Sequence, residues 1–299
     1  MEKIIVIGSA NTDMVVRSAK LPKPGETLLG GAFFMNAGGK GANQAVAAAR
    51  LGGYVTLVTK VGNDIFGKQT LQGLRNENIN TDFVFLDETA PSGTALIMVN
   101  EEGENCIVVA PGANANLLPA DITCVKGIAE AAIILMQLEI PMETVAATIK
   151  TAQKSHQKVI LNPAPAQKLD EDLLKGLFLL VPNETEAFLL TGIKVEDEAT
   201  AQQAADELLT RGVQNVLITL GSKGAYFQNN HDSLKIGAPL VNATDTTAAG
   251  DTFCGALAVA ITENMGWKKA IQFAVKAASV SVTRLGAQAS VPYRSEIEI

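Results

Sequence analysis

Length, composition and charge limit what this chain can be. Its 299 residues suffice for one large α/β domain or two smaller ones, and 47% hydrophobic against 18% charged residues are typical of a compact globular protein. The 24 Lys and Arg residues are outnumbered by 31 Asp and Glu residues, and the net charge of -7 excludes a basic surface for nucleic acid.

The apolar runs of the chain are too short to cross a membrane. The run 131–136 falls far below the roughly 18 to 20 residues that a bilayer-spanning helix needs. The first residues contain no signal-peptide core. The three cysteines are widely spaced and form no CxxC pair, which argues against a disulfide framework or a zinc site. These features predict a cytoplasmic protein with no membrane or nucleic-acid partner.

Strand-like and helix-like segments alternate through most of the chain. In chain order, strands are predicted at 3–8, 54–58, 133–138, 159–161, 178–181 and 216–220, and helices at 42–50, 66–77, from about 142, and at 184–190, 200–211, 251–263 and 268–284. This order predicts βαβ units in a single Rossmann-like α/β domain over 1–299. Its central sheet should be doubly wound and mainly parallel, with helices on both faces.

Two regions interrupt the alternation. Runs 94–99 and 105–110 are rich in β-branched residues and flank a turn with Gly103, which is typical of an antiparallel hairpin. An earlier segment with several Pro and Gly residues also favours strands and turns. We therefore expect a small β-sheet lid, formed by segments of about 14–35 and 81–110. Its open, apolar edges predict a homodimer that forms through the lids.

The glycine-rich segment 38–44 (Gly-Gly-Lys-Gly-Ala-Asn-Gln) precedes a helix and matches neither common nucleotide motif. A Walker sequence fails because Phe34 stands at its first Gly position and Gly41 follows the Lys, and the third Gly of a dinucleotide fingerprint is missing. A tight turn alone would explain the glycines. They would also allow close approach of a ligand, to which Lys40 and Asn43 offer donors at a helix start.

The segment 245–253 (Asp-Thr-Thr-Ala-Ala-Gly-Asp-Thr-Phe) leads into an apolar helix. Its small residues leave the first N–H groups of the helix accessible, which favours an anion such as a phosphoryl group. A carboxylate at a helix start is more often only an N-cap. However, the chain has only His156 and His231 as histidines. We therefore predict that Asp251 acts as the base of a kinase without a Walker lysine.

Seven segments together resemble one known family. The segments 11–13, 38–44, 136–139, 162–165, 182–186, 219–224 and 245–253 occur in the order and context of the ribokinase-like carbohydrate kinase family. The resemblance extends from the first strand almost to the end of the chain. It implies a doubly wound α/β fold with a small β-sheet lid.

The resemblance also implies roles for individual residues at the sugar end of the site. Asp251 would deprotonate the primary hydroxyl that attacks the γ-phosphate of ATP, beside an anion hole of Ala248, Ala249 and Gly250. The implied substrate-binding residues are Asn11, Thr12, Asp13, Gly39, Lys40, Asn43, Glu139 and Asp251 itself. Two carboxylates beyond the base, two amides and one ammonium suit the hydroxyls of a pentose.

Nucleotide and metal roles are implied in the same way. The residues implied for ATP are Asn183, Glu186, Thr219, Leu220, Gly221, Ser222, Lys223, Gly224, Gly250 and Val275. Glu186 would organise Mg²⁺ through water, because Mg²⁺ dehydrates reluctantly. A potassium site built largely from carbonyl oxygens is implied for Asp245, Thr247, Ser281, Arg284, Gly286 and Ser290.

The implied reaction is phosphorylation of the 5-hydroxyl of D-ribose by ATP, which gives ribose 5-phosphate and ADP. A sugar that already carries a phosphate would need more cations than Lys40. Deoxyribokinase or another pentose or nucleoside kinase of the family is an alternative, and the polar Asn11 favours ribose. The alternatives outside kinases are a nicotinamide-dependent oxidoreductase on a similar fold and a sugar-binding regulator without catalysis.

Overall fold

The computed structural model of the chain describes residues 2–297, and within this range the strands form one sheet of nine and one of four. The strands are β1 (Lys3–Ile7), β2 (Asn11–Arg17), β3 (Ala32–Gly38), β4 (Tyr54–Gly62), β5 (Asn80–Asp87), β6 (Gly93–Val99), β7 (Asn105–Ala110), β8 (Ile133–Met136), β9 (Lys158–Leu161), β10 (Leu179–Leu180), β11 (Asn215–Thr219), β12 (Ala225–Asn229) and β13 (Ser233–Ile236). The helices are α1 (Lys40–Arg50), α2 (Ile65–Asn76), α3 (Pro119–Thr123), α4 (Met142–Lys154), α5 (Glu171–Leu174), α6 (Glu184–Thr191), α7 (Glu198–Thr210), α8 (Ala249–Thr262) and α9 (Trp267–Ser281).

The large sheet has the order β13-β12-β11-β10-β9-β8-β1-β4-β5. Every neighbouring pair from β11 to β5 is parallel, whereas β12 and β13 are added antiparallel at one edge. Along β1, Ile4 and Val6 belong to one buried apolar cluster and Ile5 and Ile7 to another. Both faces of the sheet are therefore covered, and the predicted doubly wound, mainly parallel fold is confirmed.

Helices α1 and α8 pack unusually close together on one face of this sheet. A Cβ atom built at Gly255 would lie only 2.6 Å from the Cβ of Ala47, so no larger side chain fits between the helices there. Asp251 lies one turn before Gly255 on α8, and Asn43 lies one turn before Ala47 on α1. The small residues thus bring the first turns of the two helices into contact.

The small sheet has the order β3-β2-β6-β7 and is the predicted lid. Residues 8–10 connect β1 of the large sheet to β2 of the lid. The lid strands comprise residues 11–17, 32–38, 93–99 and 105–110. The prediction that the second lid segment begins at 81 is wrong, because β5 pairs in parallel with β4 at the edge of the large sheet. Phe83 and Phe85 of β5 pack against the buried cluster of that sheet, which explains the pairing.

Helix positions follow the predictions to within three residues, and the largest difference is the end of α9 at Ser281, where 284 was predicted. Helix α8 begins at Ala249 and α1 at Lys40, each two residues earlier than predicted, because small or flexible residues precede the apolar positions that mark a helix in a sequence. Among residues 2–297, no helix combines the length and apolarity that crossing a bilayer requires. Cys106, Cys124 and Cys254 are all unpaired.

Candidate active site

The candidate site lies where the carboxyl ends of β1 and β8 meet the first turns of α1 and α8. Parallel sheets commonly bind ligands at this edge. A cavity of about 210 Å³ opens here. Its lining consists of Lys40, Asn162, Ala164, Val181, Asn183, Glu186, Thr219, Thr246, Ala248, Ala249, Gly250, Asp251 and Cys254.

Asp251 is buried in the first turn of α8 and is held by two amides of α1. Asn43 Nδ2 donates to Asp251 Oδ2 at 3.0 Å, and Gln44 Nε2 donates to Asp251 Oδ1 at 3.0 Å. Only 5% of Asp251 is exposed, and it lines the cavity. Each carboxylate oxygen keeps a lone pair for a further donor. The side chain is thus fixed but can still accept a proton from a ligand.

Glu139 follows β8 and stands at the start of α1. Its Oε2 atom accepts hydrogen bonds from Ser9 Oγ at 2.5 Å and from the backbone N–H of Lys40 at 3.0 Å. A carboxylate in this position is stabilised by the free N–H groups and the dipole of a helix N-terminus. Oε2 is therefore occupied, and Oε1 is the oxygen left for a ligand.

Asn11 and Asp13 lie on the same face of β2 at the root of the lid, because side chains alternate along a strand. The backbone N–H of Ala10 donates to Asn114 Oδ1 at 2.9 Å, which fixes the orientation of that buried amide. Asn114 Nδ2 therefore donates, at 2.7 Å, to Asn11 Oδ1. The Nδ2 group of Asn11 is left as a donor for a ligand.

The charges around the site are strongly unbalanced in favour of carboxylates. Burial, with Glu139 and Asp251 nearby, raises the pKa of Asp13 to about 6, and Lys40 opposes this shift. Burial would lower the pKa of Lys40, but Asp251, Glu139 and Glu186 raise it above its usual value. The single ammonium thus stays charged and is shared among several carboxylates.

The first turn of α8 presents backbone donors to the cavity. Ala248 has a left-handed conformation with φ of 59°, which is unusual for a residue with a side chain. Ala249 N–H donates to Thr246 O at 3.3 Å, while within residues 2–297 the N–H groups of Ala248, Gly250 and Asp251 have no backbone partner. A Cβ atom at Gly250 would meet nothing within 4 Å. This arrangement can hold an anionic group.

The other wall of the cavity joins β11 to the start of α6. Asn183 caps α6 by accepting from Glu186 N–H at 2.8 Å, and Glu186 Oε2 accepts from Asn183 N–H at 2.9 Å. Asn183 also forms an isolated bridge to Thr219. Burial raises the pKa of Glu186, against the Asn183 hydrogen bond and Lys40. Residues 221–223 after β11 are exposed.

Asp245 connects the loop before α8 to the segment after α9. Its Oδ1 atom accepts from Thr247 N–H at 2.9 Å and from Thr247 Oγ1 at 2.6 Å, and its Oδ2 atom accepts from Gly286 N–H at 3.0 Å. These bonds lower the pKa of Asp245 although burial opposes them. Three members of the predicted potassium set are thus in direct contact.

Several predicted side chains lie away from this site, and two of them form surface ion pairs, Lys223 with Glu184 and Arg284 with Glu296. Thr12 lies on the opposite face of β2 from Asn11 and Asp13. The side chain of Leu220 belongs to one buried apolar cluster and that of Val275 to the other. For Thr12 and Leu220, only the backbone is available to a ligand at the predicted place.

The sequence interpretation gave no role to several polar residues that the structure places in contact with the site. They are Ser9, Gln44, Asn114, Gln137 and Asn162. Gln44, Gln137 and Asn162 lie within the motifs that carry the resemblance, so their position was a usable signal. Asn114 lies 103 residues from its partner Asn11, and nothing in the local sequence indicates that contact.

The comparison with known families agrees with this geometry. Residues 1–294 match the family described as pfkB family carbohydrate kinase. The chain belongs to this family. Its members in the comparison include a ribokinase from Haemophilus influenzae, 43% identical over 98% of this chain and 96% of the relative. A deoxyribokinase from Salmonella typhi is 40% identical over 97% of this chain and 95% of the relative.

Solved structures of pfkB relatives show the same fold. The structure of Arabidopsis thaliana ribokinase complexed with ribose and ATP has a TM-score of 0.92 and 34% identity, covering 98% of this chain and 96% of that one. The chain is accordingly a phosphotransferase with an alcohol acceptor. The alternative of a nicotinamide-dependent oxidoreductase is wrong.

Proposed function

We propose that the chain transfers the γ-phosphoryl group of ATP to the 5-hydroxyl of D-ribose and so forms ribose 5-phosphate and ADP. The observation that carries this proposal is the position of Asp251. It is a buried carboxylate, fixed by Asn43 and Gln44, in the same helical turn as the free N–H groups of the cavity. A base and an anion-binding turn side by side suit phosphoryl transfer to an alcohol.

In the proposed reaction, Asp251 takes the proton of the 5-hydroxyl as the oxygen attacks the γ-phosphorus. The bond from that phosphorus to the bridging oxygen of ADP breaks. The free N–H groups of Ala248, Gly250 and Asp251 would stabilise the negative charge on the phosphoryl group during its transfer. Lys40 lines the same cavity and adds a positive charge.

The hydrogen-bonding directions at the sugar end favour a pentose with all its hydroxyls. Asn11 and Lys40 offer donors, whereas Asp13 and the free oxygen of Glu139 offer acceptors. A site with fixed polar groups discriminates strongly against a substrate that lacks one hydroxyl, because a buried partner is then left unpaired. The deoxyribokinase among the relatives makes 2-deoxyribose the competitor to test.

Mg²⁺ and K⁺ belong to the proposal as cofactors. Glu186 fits a water-bound Mg²⁺, since one oxygen is occupied by Asn183 N–H and the residue lines the cavity. Mg²⁺ would neutralise charge on the ATP phosphates. For K⁺, the cross-link from Asp245 to Thr247 and Gly286 holds the loop whose carbonyl oxygens would bind the ion. Ser281, Arg284 and Ser290 complete the proposed set.

A homodimer through the lids is also proposed. One lid face carries two apolar rows across β3, β2, β6 and β7. Its exposed members are Val16, Phe33, Met35, Leu96, Met98 and Val108, with exposed fractions from 39% to 68%. Such a surface in one sheet favours burial against a second copy. A monomer mass by light scattering at micromolar concentration would contradict the dimer.

The cytoplasmic location of the protein stays a prediction.

The test of the proposed function is a coupled ADP-release assay with ATP, Mg²⁺ and a panel of sugars, with K⁺ or Na⁺ as the monovalent cation. We expect D-ribose to have the highest kcat/KM, 2-deoxyribose to react more slowly, and K⁺ to raise the rate above that in Na⁺. Another sugar with a much higher kcat/KM, with ribose nearly inert, would refute the proposed substrate. Equal rates in K⁺ and Na⁺ would refute the potassium site alone.

A further inference from the structure

A chain of buried amide side chains lies behind Asp251. Gln44 Nε2 contacts both Asp251 Oδ1 at 3.0 Å and Asn162 Oδ1 at 3.2 Å. Gln137 Nε2 donates to Gln44 Oε1 at 2.6 Å. Gln44 and Gln137 are fully buried, and 8% of Asn162 is exposed. Fully buried side chains such as Gln44 cannot bind the substrate directly.

One backbone carbonyl, that of Val181, sets the direction of the hydrogen bonds among these buried amides. The carbonyl oxygen of Val181 can only accept, so the Asn162 atom 3.0 Å away is the Nδ2 donor. Asn162 therefore turns its Oδ1 acceptor toward Gln44. Gln44 therefore donates to this oxygen with its Nε2 group, and the same group donates to Asp251.

The opposite orientation of Gln44 is unfavourable on every side. A flipped amide would place Oε1 against the Asp251 carboxylate and against Asn162 Oδ1, and would set Nε2 against the Nε2 donor of Gln137. Unpaired buried polar atoms are costly, so these contacts hold Gln44 in one state. Together with Asn43 on Oδ2, Gln44 then fixes the plane of the Asp251 carboxylate.

We propose that Gln44 is a positioning residue that Asn162 and Gln137 orient, and that it holds Asp251 in the geometry needed to accept the proton of the sugar hydroxyl. This inference rests on the proposed function. Its role differs from that of Asn43, which also donates to Asp251 but is itself one of the implied sugar-binding residues. Gln44 acts on the rate of transfer through Asp251 and not on substrate binding.

The test variant is Gln44→Met, which keeps the length of the side chain and removes both polar atoms. We expect kcat to fall about 10²-fold, because small misplacements of a reacting group have effects of that size. The KM values for sugar and ATP should stay within about threefold of wild type, because Gln44 does not reach the cavity. Gln137→Met, one step further from the base, should lower kcat less.

Gln228→Met is the matched control. Gln228 on β12 also donates an amide hydrogen bond to a carboxylate, Asp206, at 2.5 Å, and lies outside the candidate site. This variant should lower the melting temperature by an amount similar to Gln44→Met and leave kcat unchanged. A loss of kcat in the control as large as in Gln44→Met would assign the effect to stability and overturn the proposal.

A double variant decides whether Gln44 acts through Asp251. If it does, Gln44→Met combined with Asp251→Asn should be no slower than Asp251→Asn alone, whereas independent effects would multiply. Multiplied effects, or a raised KM with unchanged kcat, would refute the positioning role.

A crystal structure of Gln44→Met gives a readout that needs no activity. We expect the Asp251 carboxylate to leave its wild-type position, and an unmoved carboxylate would overturn the proposal. A wild-type protein that phosphorylates no sugar would instead refute the proposed function, so the two failures are distinguishable.

Discussion

The two proposed ends of the cavity, one for the sugar and one for the nucleotide, differ in how far their side chains are hydrogen-bonded within the protein. At the sugar end, side chains such as Asp251, Asn43 and Glu139 are already hydrogen-bonded to protein partners. At the nucleotide end, residues 221–223 and Gly250 are exposed and offer mainly backbone groups. The sugar end is thus ordered before any ligand binds, whereas the nucleotide end relies on the charge of the ligand and on loop backbone. Side-chain substitutions should therefore be most harmful at the sugar end.

The largest effect is expected from Asp251→Asn. The amide cannot accept the hydroxyl proton as a carboxylate does, so kcat should fall by about 10² to 10⁴-fold, the usual contribution of a general base. Because Asn43 and Gln44 still surround the residue, ribose should bind with nearly wild-type affinity by calorimetry. An enzyme with unchanged kcat would end the role of Asp251 as base.

A pair of glycine variants on α8 separates the effect of ligand contact at Gly250 from the effect of helix packing at Gly255. Gly250→Ala adds a methyl group in open space, so stability should hold while kcat falls, by about 10²-fold if the phosphoryl group shifts by about 1 Å. Gly255→Ala forces contact with Ala47 and should lower the free energy of unfolding by about 1–3 kcal/mol. Chemical denaturation and steady-state kinetics on both variants check this. Equal losses of stability in Gly250→Ala and Gly255→Ala would contradict this distinction between the two positions.

A smaller effect is expected from the protonation of Asp13. With its pKa raised to about 6, the carboxyl becomes neutral below that pH and loses its strength as an acceptor for a sugar hydroxyl. The kcat/KM for ribose should therefore fall about tenfold per pH unit below pH 6. Asp13→Asn should be slower at pH 7 but should lack this break. A wild-type profile that stays flat through pH 6 would be the contrary result.

The same shift has a consequence for stability without ligand. The pKa of Asp13 is about 6 in the folded state, higher than that of a free Asp side chain, so the folded state binds more protons between about pH 4 and 6. The free energy of unfolding should then fall as pH rises through this range, by about 3 kcal/mol for roughly two pH units. Denaturant titrations of wild type and Asp13→Asn should differ by this slope.

The smallest effect is expected from Ala248→Gly at the nucleotide end. The left-handed conformation of Ala248, with φ of 59°, costs about 1–2 kcal/mol for a residue with a side chain. The entropy cost of glycine, about 0.5–1 kcal/mol, offsets part of this gain. The net result should be a rise of about 0.5–1 kcal/mol in the free energy of unfolding, with kcat nearly unchanged. A loss of stability would show that the strain is absent.

The same contrast explains what could be predicted from the sequence. The order of strands and helices could be predicted from periodicity. The motifs identified Asp251, Asn43 and Glu139 as candidates, because the chemistry of a side chain is known from the residue type. The placement of 80–87 in the large sheet was missed, because strand pairing depends on distant partners.

Backbone features and distant contacts were the other omissions. Nothing in the composition indicates that Ala248 is left-handed or that Asn114 orients Asn11 across 103 positions of the chain. Because β2 begins at Asn11, alternation along the strand places the side chain of Thr12 on the opposite face from Asn11 and Asp13. Such features need the three-dimensional arrangement of the chain.

The central claim is that Asp251 faces the 5-hydroxyl of ribose across from the γ-phosphate. A crystal structure with D-ribose and a non-hydrolysable ATP analogue tests it most directly. The account predicts the 5-oxygen within about 2.6–3.2 Å of an Asp251 carboxylate oxygen, with the γ-phosphate at the N–H groups of Gly250 and Asp251. A sugar bound with another hydroxyl at Asp251, or bound away from it, would contradict the account.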